Sequence, residues 1–485
     1  MAEKIINQVK SYHSNLTNHR SLAMIVVMTG VLITAVDTSI VVLALPEIEK
    51  GLKVSLASVI WIVIGYLLVI TLLATQVGRL GDMFGRVKMY EAGFVIFILG
   101  SLLCALSFNE TSIIVFRLIQ GVGGALVSAN SGAIIAGLYP PEERGKAYGY
   151  NSIGWSLGAV LGIVVGGIIV TYFSWRWIFW INVPIGLAAT ILALKVLHDK
   201  NEKLQHKLDP VGILMLGFGL FGVLWAITKL TTSSLNSSII LDIVIGLALL
   251  VGFYFFEKRQ SEPMLNFSIF KVPAMTPSLL AALFQGMANF AVLFLVIMYL
   301  QGPRGLSPIH ASLLLVPGYI VGSAIGPLAG KLADKIGPVI PATIGLGIQV
   351  IALFIYAHLS LNIGLWVVVV ASVINGFGAS FFFPANSSAV MKASPDNMFG
   401  ISSGMLRTFS NIGMVFSFSV AILVASHSIS KSLAFAIFVG VTSLHGHLAV
   451  AFSNGLHAAF YVLMIFMFIA ALLSLSRGRT IKSTT

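Results

Sequence analysis

Charge is scarce in this chain. Asp, Glu, Lys and Arg together make up 9% of its 485 residues, where a soluble protein carries about a quarter. That leaves too little polar surface to coat a folded chain of this size against water, which excludes two or three soluble domains. Cysteine is nearly absent too. Cys104 is the single one, so no intramolecular disulfide can form. The first twenty residues carry Lys4, Lys10, His13, His19 and Arg20 and no apolar core, so no cleavable leader is expected. No G-x-x-x-x-G-K-[ST] occurs to cradle a phosphate, which argues against ATP as the energy source. GFGLFG (Gly217 to Gly222) matches a dinucleotide fingerprint by letter. It sits inside an apolar run with no strand before it and reads as helix packing. His445 and His447 have no further ligands nearby, so no metal site is expected. No nucleophile, base and orienting group can be grouped together. The chain does not read as an enzyme.

Long apolar runs are what the chain has. Leu22 to Val36, Val87 to Ser107, Ala147 to Val170 and Ala459 to Leu475 are examples. About 20 apolar residues at 1.5 Å rise cross a bilayer core. The runs do not alternate polar with apolar, which excludes a transmembrane β-barrel. The fold class is therefore all-α and polytopic. Fourteen spans are expected, over residues 22–45, 57–77, 88–108, 112–137, 147–170, 178–197, 210–229, 238–256, 276–300, 310–330, 339–358, 364–390, 401–425 and 456–475. Residues 427–454 read as an outer loop or hairpin.

The few charges are unevenly placed. With the N-terminus inside, 21 of the 29 Lys and Arg residues fall on inner loops and tails and six on outer loops. Arg117 and Arg407 lie within spans. This bias puts both termini in the cytoplasm. The plasma membrane is the expected location. It also assigns the net charge of +12 to topology and anionic lipid rather than to nucleic acid.

The chain repeats itself. Gly78, Leu80, Asp82 and Gly85 in GRLGDMFGRVK recur as Gly330, Leu332, Asp334 and Gly337 in GKLADKIGP. QGVGGALVSANSGAI, with Asn130, is echoed by NGFGASFFFPANSSAV, with Asn386. Residues 1–200 and 261–485 thus read as two six-helix bundles of one design, with 201–260 as a linker carrying two extra spans. Two inserted spans keep both copies facing the same way. Parallel repeats of this kind serve alternating access, with a site at mid-depth. The hinges read as a cytoplasmic gate built from Gly78, Asp82, Gly85, Arg86, Glu91, Gly330, Asp334 and Gly337. Asp82 is expected to favour the start of span 3, and Arg86 and Lys88 to face the cytoplasm.

At these residues the chain resembles the major facilitator superfamily, whose loop signature is G-x-L-a-D-x-x-G-R-[RK]. Span 4, with Arg117, Gln120, Gly121 and Gly123, resembles its second signature. Fourteen spans, VDTSIVVLALP (Val36 to Pro46), WIVIGYLL (Trp61 to Leu68) and WRWIFWINVPIG (Trp175 to Gly186) narrow the likeness to the fourteen-helix drug:proton antiporters. One departure stands in span 5. The family pattern G-x-x-x-G-P-x-x-G-G is met by Gly158, Gly162, Gly166 and Gly167, but Ile163 replaces the proline. The glycines still allow close packing, and the kink is lost.

Ionisable groups inside a membrane are costly and mark function. Counted from the outer helix ends, Asp37 and Arg117 share a depth of roughly 9–14 Å. The resemblance implies that they form the proton-coupling machinery. Arg407 reads as a side chain snorkelling inward. Asp242 reads as interfacial. The second half offers no acid at mid-depth, but Gln285, Asn289, Asn375, Asn386 and Asn411. The substrate site is expected from Trp61, Tyr66, Asn130, Phe284, Gln285, Met287, Asn289, Phe290 and Asn386, aromatic and amide groups suited to stacking and cation–π contact.

These observations lead to a proton-coupled secondary transporter, likened to multidrug efflux, that exports small lipophilic or monocationic compounds. A single metabolite or lipid-like cargo, carried by an exporter or uniporter, and a non-transporting sensor are the alternatives. The expected partners are the cargo, protons and membrane lipids. A monomer is expected, driven by the proton gradient and needing no cofactor.

Overall fold

A computed structural model describes residues 2–53, 59, 61–199, 209–232, 235–260, 263, 270, 272–395, 398–425 and 446–477. Each expected span coincides with a helix. In chain order these are α1 (Ala2–Leu52), α2 (Trp61–Phe84), α3 (Arg86–Ala105), α4 (Glu110–Leu138), α5 (Arg144–Tyr172) and α6 (Trp177–Val196). Next come α7 (Pro210–Thr232) and α8 (Ser237–Glu257). The rest are α9 (Met275–Gln301), α10 (Ile309–Ile336), α11 (Val339–Tyr356), α12 (Trp366–Ala393), α13 (Phe399–Ala425) and α14 (His447–Leu475). Twelve of these are long and apolar enough to cross a membrane. The α2 helix is bent by 50° between Trp61–Ala74 and Gln76–Phe84. Residues 447–454 of the expected outer hairpin belong to α14, and 426–445 lie outside the described residues.

Side chains such as Leu99 on α3, Ile245 on α8 and Phe468 on α14 lie exposed on the outside of the bundle. In a soluble protein such a surface would aggregate, and in lipid it is the favourable one. Inside, helices meet where side chains are smallest. A Cβ on Gly158, Gly162 or Gly166 of α5 would stand 2.1–2.7 Å from atoms of α1, so these glycines set that packing. Gly167 faces Ile309 of α10 instead. Ile163 is buried, and α5 runs unbroken through it, as expected without a proline.

Helices α1–α6 and α9–α14 form two bundles. They meet along two seams, α2 with α13 and α5 with α10. Subtracting eight from the helix number exchanges one seam for the other, as a twofold axis along the bundle requires. The inserted helices α7 and α8 pack on each other and against the α2–α13 seam, where Leu216, Leu220 and Phe253 meet Leu72 and Ile412.

The two hinges turn alike. Gly85 has φ +112° and Gly337 has φ +85°, both in the region that strains any residue with a Cβ. Gly85 is also short of space, because a Cβ there would meet the carboxylate of Asp199. That carboxylate accepts from the amides of Val87 (2.9 Å) and Lys88 (3.2 Å), so it caps α3. Asp82 does not fill that place.

Candidate functional site

On the face that carries the hinges, the bundles are latched twice. Asp82, at the end of α2, accepts from the amides of Gly400 and Ile401, both at 3.2 Å, at the start of α13 in the other half. Asp334, at the end of α10, accepts from Gly145 and Lys146, both at 2.8 Å, at the start of α5. Each carboxylate thus satisfies free amides at a helix N-terminus, where the helix dipole favours negative charge. The backbones approach closely enough to allow this because glycines meet there. A Cβ on Gly78 would lie 2.2 Å from the carbonyl oxygen of Gly400, and one on Gly330 would lie 2.1 Å from that of Gly145.

The latches carry cations. Arg86 donates to Asp82 at 2.9 Å and is buried, so it does not face solvent as expected. Its guanidinium and that of Arg144 lie over the ring of Phe399, at 5.5 and 4.4 Å. Lys392 stands 3.9 Å from Asp334. Glu91 belongs to neither latch. It interacts with Lys88, His198 and Asp199 within its own half.

Between the halves, on the far side of the latches, lies a cavity of about 190 Å³. From α5 it is lined by Asn151, Ser152 and Trp155, and from α9 by Gln285, Asn289 and Phe290. Tyr319 of α10, Asn375 and Asn386 of α12, and Arg407 and Asn411 of α13 complete much of the wall. Asn375 donates to Asn289 at 3.1 Å, Gln285 to Gln349 at 3.4 Å, and Trp155 meets Phe290 edge-on at 6.3 Å. Cavities that combine aromatic walls with a few fixed polar groups are the usual form of small-molecule sites.

A second polar site is sealed inside the first bundle. Asp37 of α1 is fully buried, and Arg117 of α4 donates to it at 2.7 Å. Gln120 of α4 and Asn182 of α6 donate to its other oxygen at 2.8 and 3.1 Å. Both amides also reach Ser101 of α3. Arg117 further donates to the carbonyl of Ile62 on α2 and to Gln120, and lies 4.2 Å over the ring of Tyr66. One carboxylate therefore ties α1, α4 and α6 directly, and α2 and α3 through its partners. The Arg117 Nη2 and Tyr66 Oη atoms are buried there without hydrogen-bond partners. Neither Asp37 nor Arg117 lines the cavity.

A helical chain with two parallel bundles, a mid-depth cavity and paired hinges narrows the field to one kind of membrane protein, and comparison with known proteins settles it. The family model described as the Major Facilitator Superfamily matches residues 27–418. The chain belongs to this superfamily. It is 29% identical to the riboflavin transporter RibZ of Clostridioides difficile, over 85% of this chain and 89% of that one. It is 31% identical to multidrug resistance protein 3 of Bacillus subtilis, over 75% and 71%. The tetracenomycin C resistance and export protein of Streptomyces glaucescens is 28% identical, over 80% and 73%. Among solved structures, the proton:xylose symporter XylE superposes with a TM-score of 0.64 at 16% identity, covering 93% of this chain and 96% of that one. The human organic anion transporter MFSD10 gives 0.64 at 15%, covering 94% and 99%. At such identities the likeness is one of fold. The chain is a multi-pass transporter of the major facilitator type, not an enzyme.

Only some of the expected substrate residues face the cavity. Gln285, Asn289, Phe290 and Asn386 line the cavity, while Phe284 and Met287 do not. Phe284 turns to Phe466 of α14. Trp61 packs on Trp225 and Phe221 of the insert, at 4.9 and 5.8 Å. Tyr66 lies under Arg117. Asn130 is wedged against Gly81, whose Cβ would lie 2.0 Å from its Oδ1. Arg407 does not snorkel to the hinge face but lines the cavity. Asp242 pairs with Lys229 at 2.7 Å. The expectation of a cationic cargo rested on Asp37 facing the cavity, and its burial behind Arg117 removes that support. Asn182 and Ser101 completed the Asp37 site unforeseen, although WRWIFWINVPIG contains Asn182. Asn151 and Trp155, four residues apart on α5, were missed. Their spacing on one helix face was the signal available.

Proposed function

We propose that this superfamily member is a proton-coupled exporter of small lipophilic compounds, working as a monomer in the plasma membrane with its hinge face and both termini in the cytoplasm. The observation that carries this reading is the cavity between the halves, placed behind two carboxylate caps that each cross from one half to the other. Hydrogen bonds to a charged group contribute roughly 1.5–3 kcal/mol each. Four of them cover the ~5.5 kcal/mol that turns a 1:99 equilibrium into 99:1. The latches are thus strong enough to hold the cavity shut toward the cytoplasm and weak enough to release within a cycle. Relatives named for resistance and export support the direction.

Asp37 is the group that would feel the proton. As a carboxylate it holds the Arg117 guanidinium. Once it takes a proton, Arg117 keeps only neutral acceptors, the Ile62 carbonyl and Gln120. The tie between α1 and α4 then slackens. Helix α1 packs along α5, and α5 reaches both the cavity and the amides that Asp334 caps. Protonation in the first bundle is thereby passed to one seam.

The test is reconstitution into liposomes with an imposed pH gradient and a fluorescent lipophilic dye. Gradient-driven uptake is expected, with Asp37→Asn abolishing it. Equal flux without a gradient would make the protein a uniporter. No flux for any compound in a broad screen would favour a sensor.

A further inference from the structure

One charged side chain in the structure has work left over. Arg407 is the single charged residue in the described lining of the cavity, which contains no Asp and no Glu. Some other cations of the interior face carboxylates: Arg117 has Asp37, Arg86 has Asp82, and Lys392 faces Asp334. Arg144 and Arg477 donate instead to neutral acceptors, Arg144 to the carbonyls of Ala136, Tyr139 and Met391 and Arg477 to the side-chain oxygen of Asn386. Among the described residues Arg407 has no carboxylate partner. Its guanidinium lies near Tyr148, whose hydroxyl already donates to the carbonyl of Gly132 at 2.8 Å. The described acids of the interior are engaged elsewhere. Asp82 and Asp334 cap helices, and Asp37 is sealed.

A guanidinium held at a cavity wall without a counter-ion is unfavourable until an anion arrives. Its planar fork matches a carboxylate or a similar oxyanion with two parallel hydrogen bonds. The rest of the wall suits a flat molecule. Trp155 and Phe290 come from opposite halves and offer ring faces and edges, and Asn375 and Asn411 offer amide groups. Helical rise places Arg407 roughly 10 Å along α13 from Gly400. It therefore sits two turns from the Asp82 cap, and its neighbour Tyr148 sits one turn from the Asp334 cap.

We propose that the cargo site takes a small aromatic monoanion, with Arg407 holding its acid group and rings from both halves holding its plane. This rests on the reading of the cavity as the cargo site and goes beyond it, since it fixes the sign of the cargo charge. A cation is disfavoured there by the positive field of Arg407, which no lining acid offsets.

The full-length protein in nanodiscs, with no proton gradient, tests this by calorimetric titration. The probes are 2-naphthoate, 2-naphthamide and 2-naphthyl-trimethylammonium, one ring system with three charges. The naphthoate is expected to bind on the order of ten- to a hundredfold more tightly than the amide, the range of a charge-assisted pair. The cation is expected to bind worst. Arg407→Gln should erase the preference for naphthoate while leaving amide binding, and Arg407→Lys should keep part of it. The proposal is overturned if the wild type binds the cation best, if naphthoate does not bind at millimolar concentration, or if Arg407→Gln leaves naphthoate affinity unchanged. The wild-type ranking stands even if a variant misfolds. Gradient-driven uptake of dye without naphthoate binding would sink this proposal alone. Naphthoate binding without gradient-driven uptake would sink only the proton coupling.

Discussion

Arg117 in the first bundle and Arg407 in the second, both inside spans, are handled in opposite ways. In the first, Arg117 is paired with Asp37, fully buried, and bonded to a helix carbonyl and an amide besides. In the second, Arg407 has no acid among the described residues and opens onto the cavity. Both halves share one design, down to hinge glycines at positive φ and caps that cross the seam. The difference therefore belongs to the interior of each bundle. A paired charge reports a change in its own protonation, and an unpaired one waits for a partner from outside. Under the two proposals above, the contrast would be a division of labour, with energy input in the first bundle and recognition of the cargo's charge in the second.

The pairing is the part of this comparison most easily broken. Arg117→Ala leaves a carboxylate buried with only amide donors. Removing one member of a buried pair costs about 3–5 kcal/mol, so thermal unfolding in detergent should fall by more than for any other change named here. Asp37→Ala should match it, because it strands the arginine. An unchanged melting temperature in both would mean that the pair is not closed off from water.

Next come the glycines that let the halves meet. Gly78→Val puts atoms where the Gly400 carbonyl lies, 2.2 Å from the first added carbon. Overpacking of this kind costs about 1–3 kcal/mol, and here parting α2 from α13 relieves it. Faster hydrogen exchange at the Gly400 and Ile401 amides is expected, together with slower export. Wild-type exchange rates would show that the seam is not a gate.

The two caps sharpen the comparison further. The Asp82 side chain is completely shielded and also holds Arg86, while that of Asp334 keeps 8% exposure and faces Lys392 at 3.9 Å. Asp82→Asn should therefore weaken the closed state more than Asp334→Asn, with both inside about 1–3 kcal/mol. A cross-linking rate between cysteines placed on either side of each seam reads this order. Equal rates would make the latches interchangeable.

What the sequence disclosed, and what it withheld, follows from where each constraint acts. Lipid requires long apolar helices, so the fourteen expected spans each fall on a helix, twelve of them long and apolar enough to cross a membrane. The hinges could be read because they occur twice. Depth could be read as well, which is why Asp37 and Arg117 were placed together. The direction a side chain takes around its helix could not, since it depends on which neighbours pack there. By its distance from one helix end Arg407 reads as a snorkelling residue, yet it turns to the cavity. Repetition misled in one place. Asn130 and Asn386 are equivalent in the repeat, but Asn386 lines the cavity and Asn130 is pinned under Gly81. Trp61 was drawn aside by the insert, which no six-helix repeat contains.

The smallest expected effect is the most informative about the second bundle. Arg407→Gln removes a charge that no carboxylate among the described residues holds, so little native interaction is lost. Its melting temperature should stay within about 1 kcal/mol of wild type in stability, or rise, as is common where a binding residue is kept at a cost to the fold. Set beside the several kcal/mol expected for Arg117→Ala, that contrast separates a charge that holds the structure together from one held ready for cargo. Should Arg407→Gln unfold the protein as readily as Arg117→Ala, then Arg407 has a structural partner after all, and the two bundles would differ in detail rather than in task.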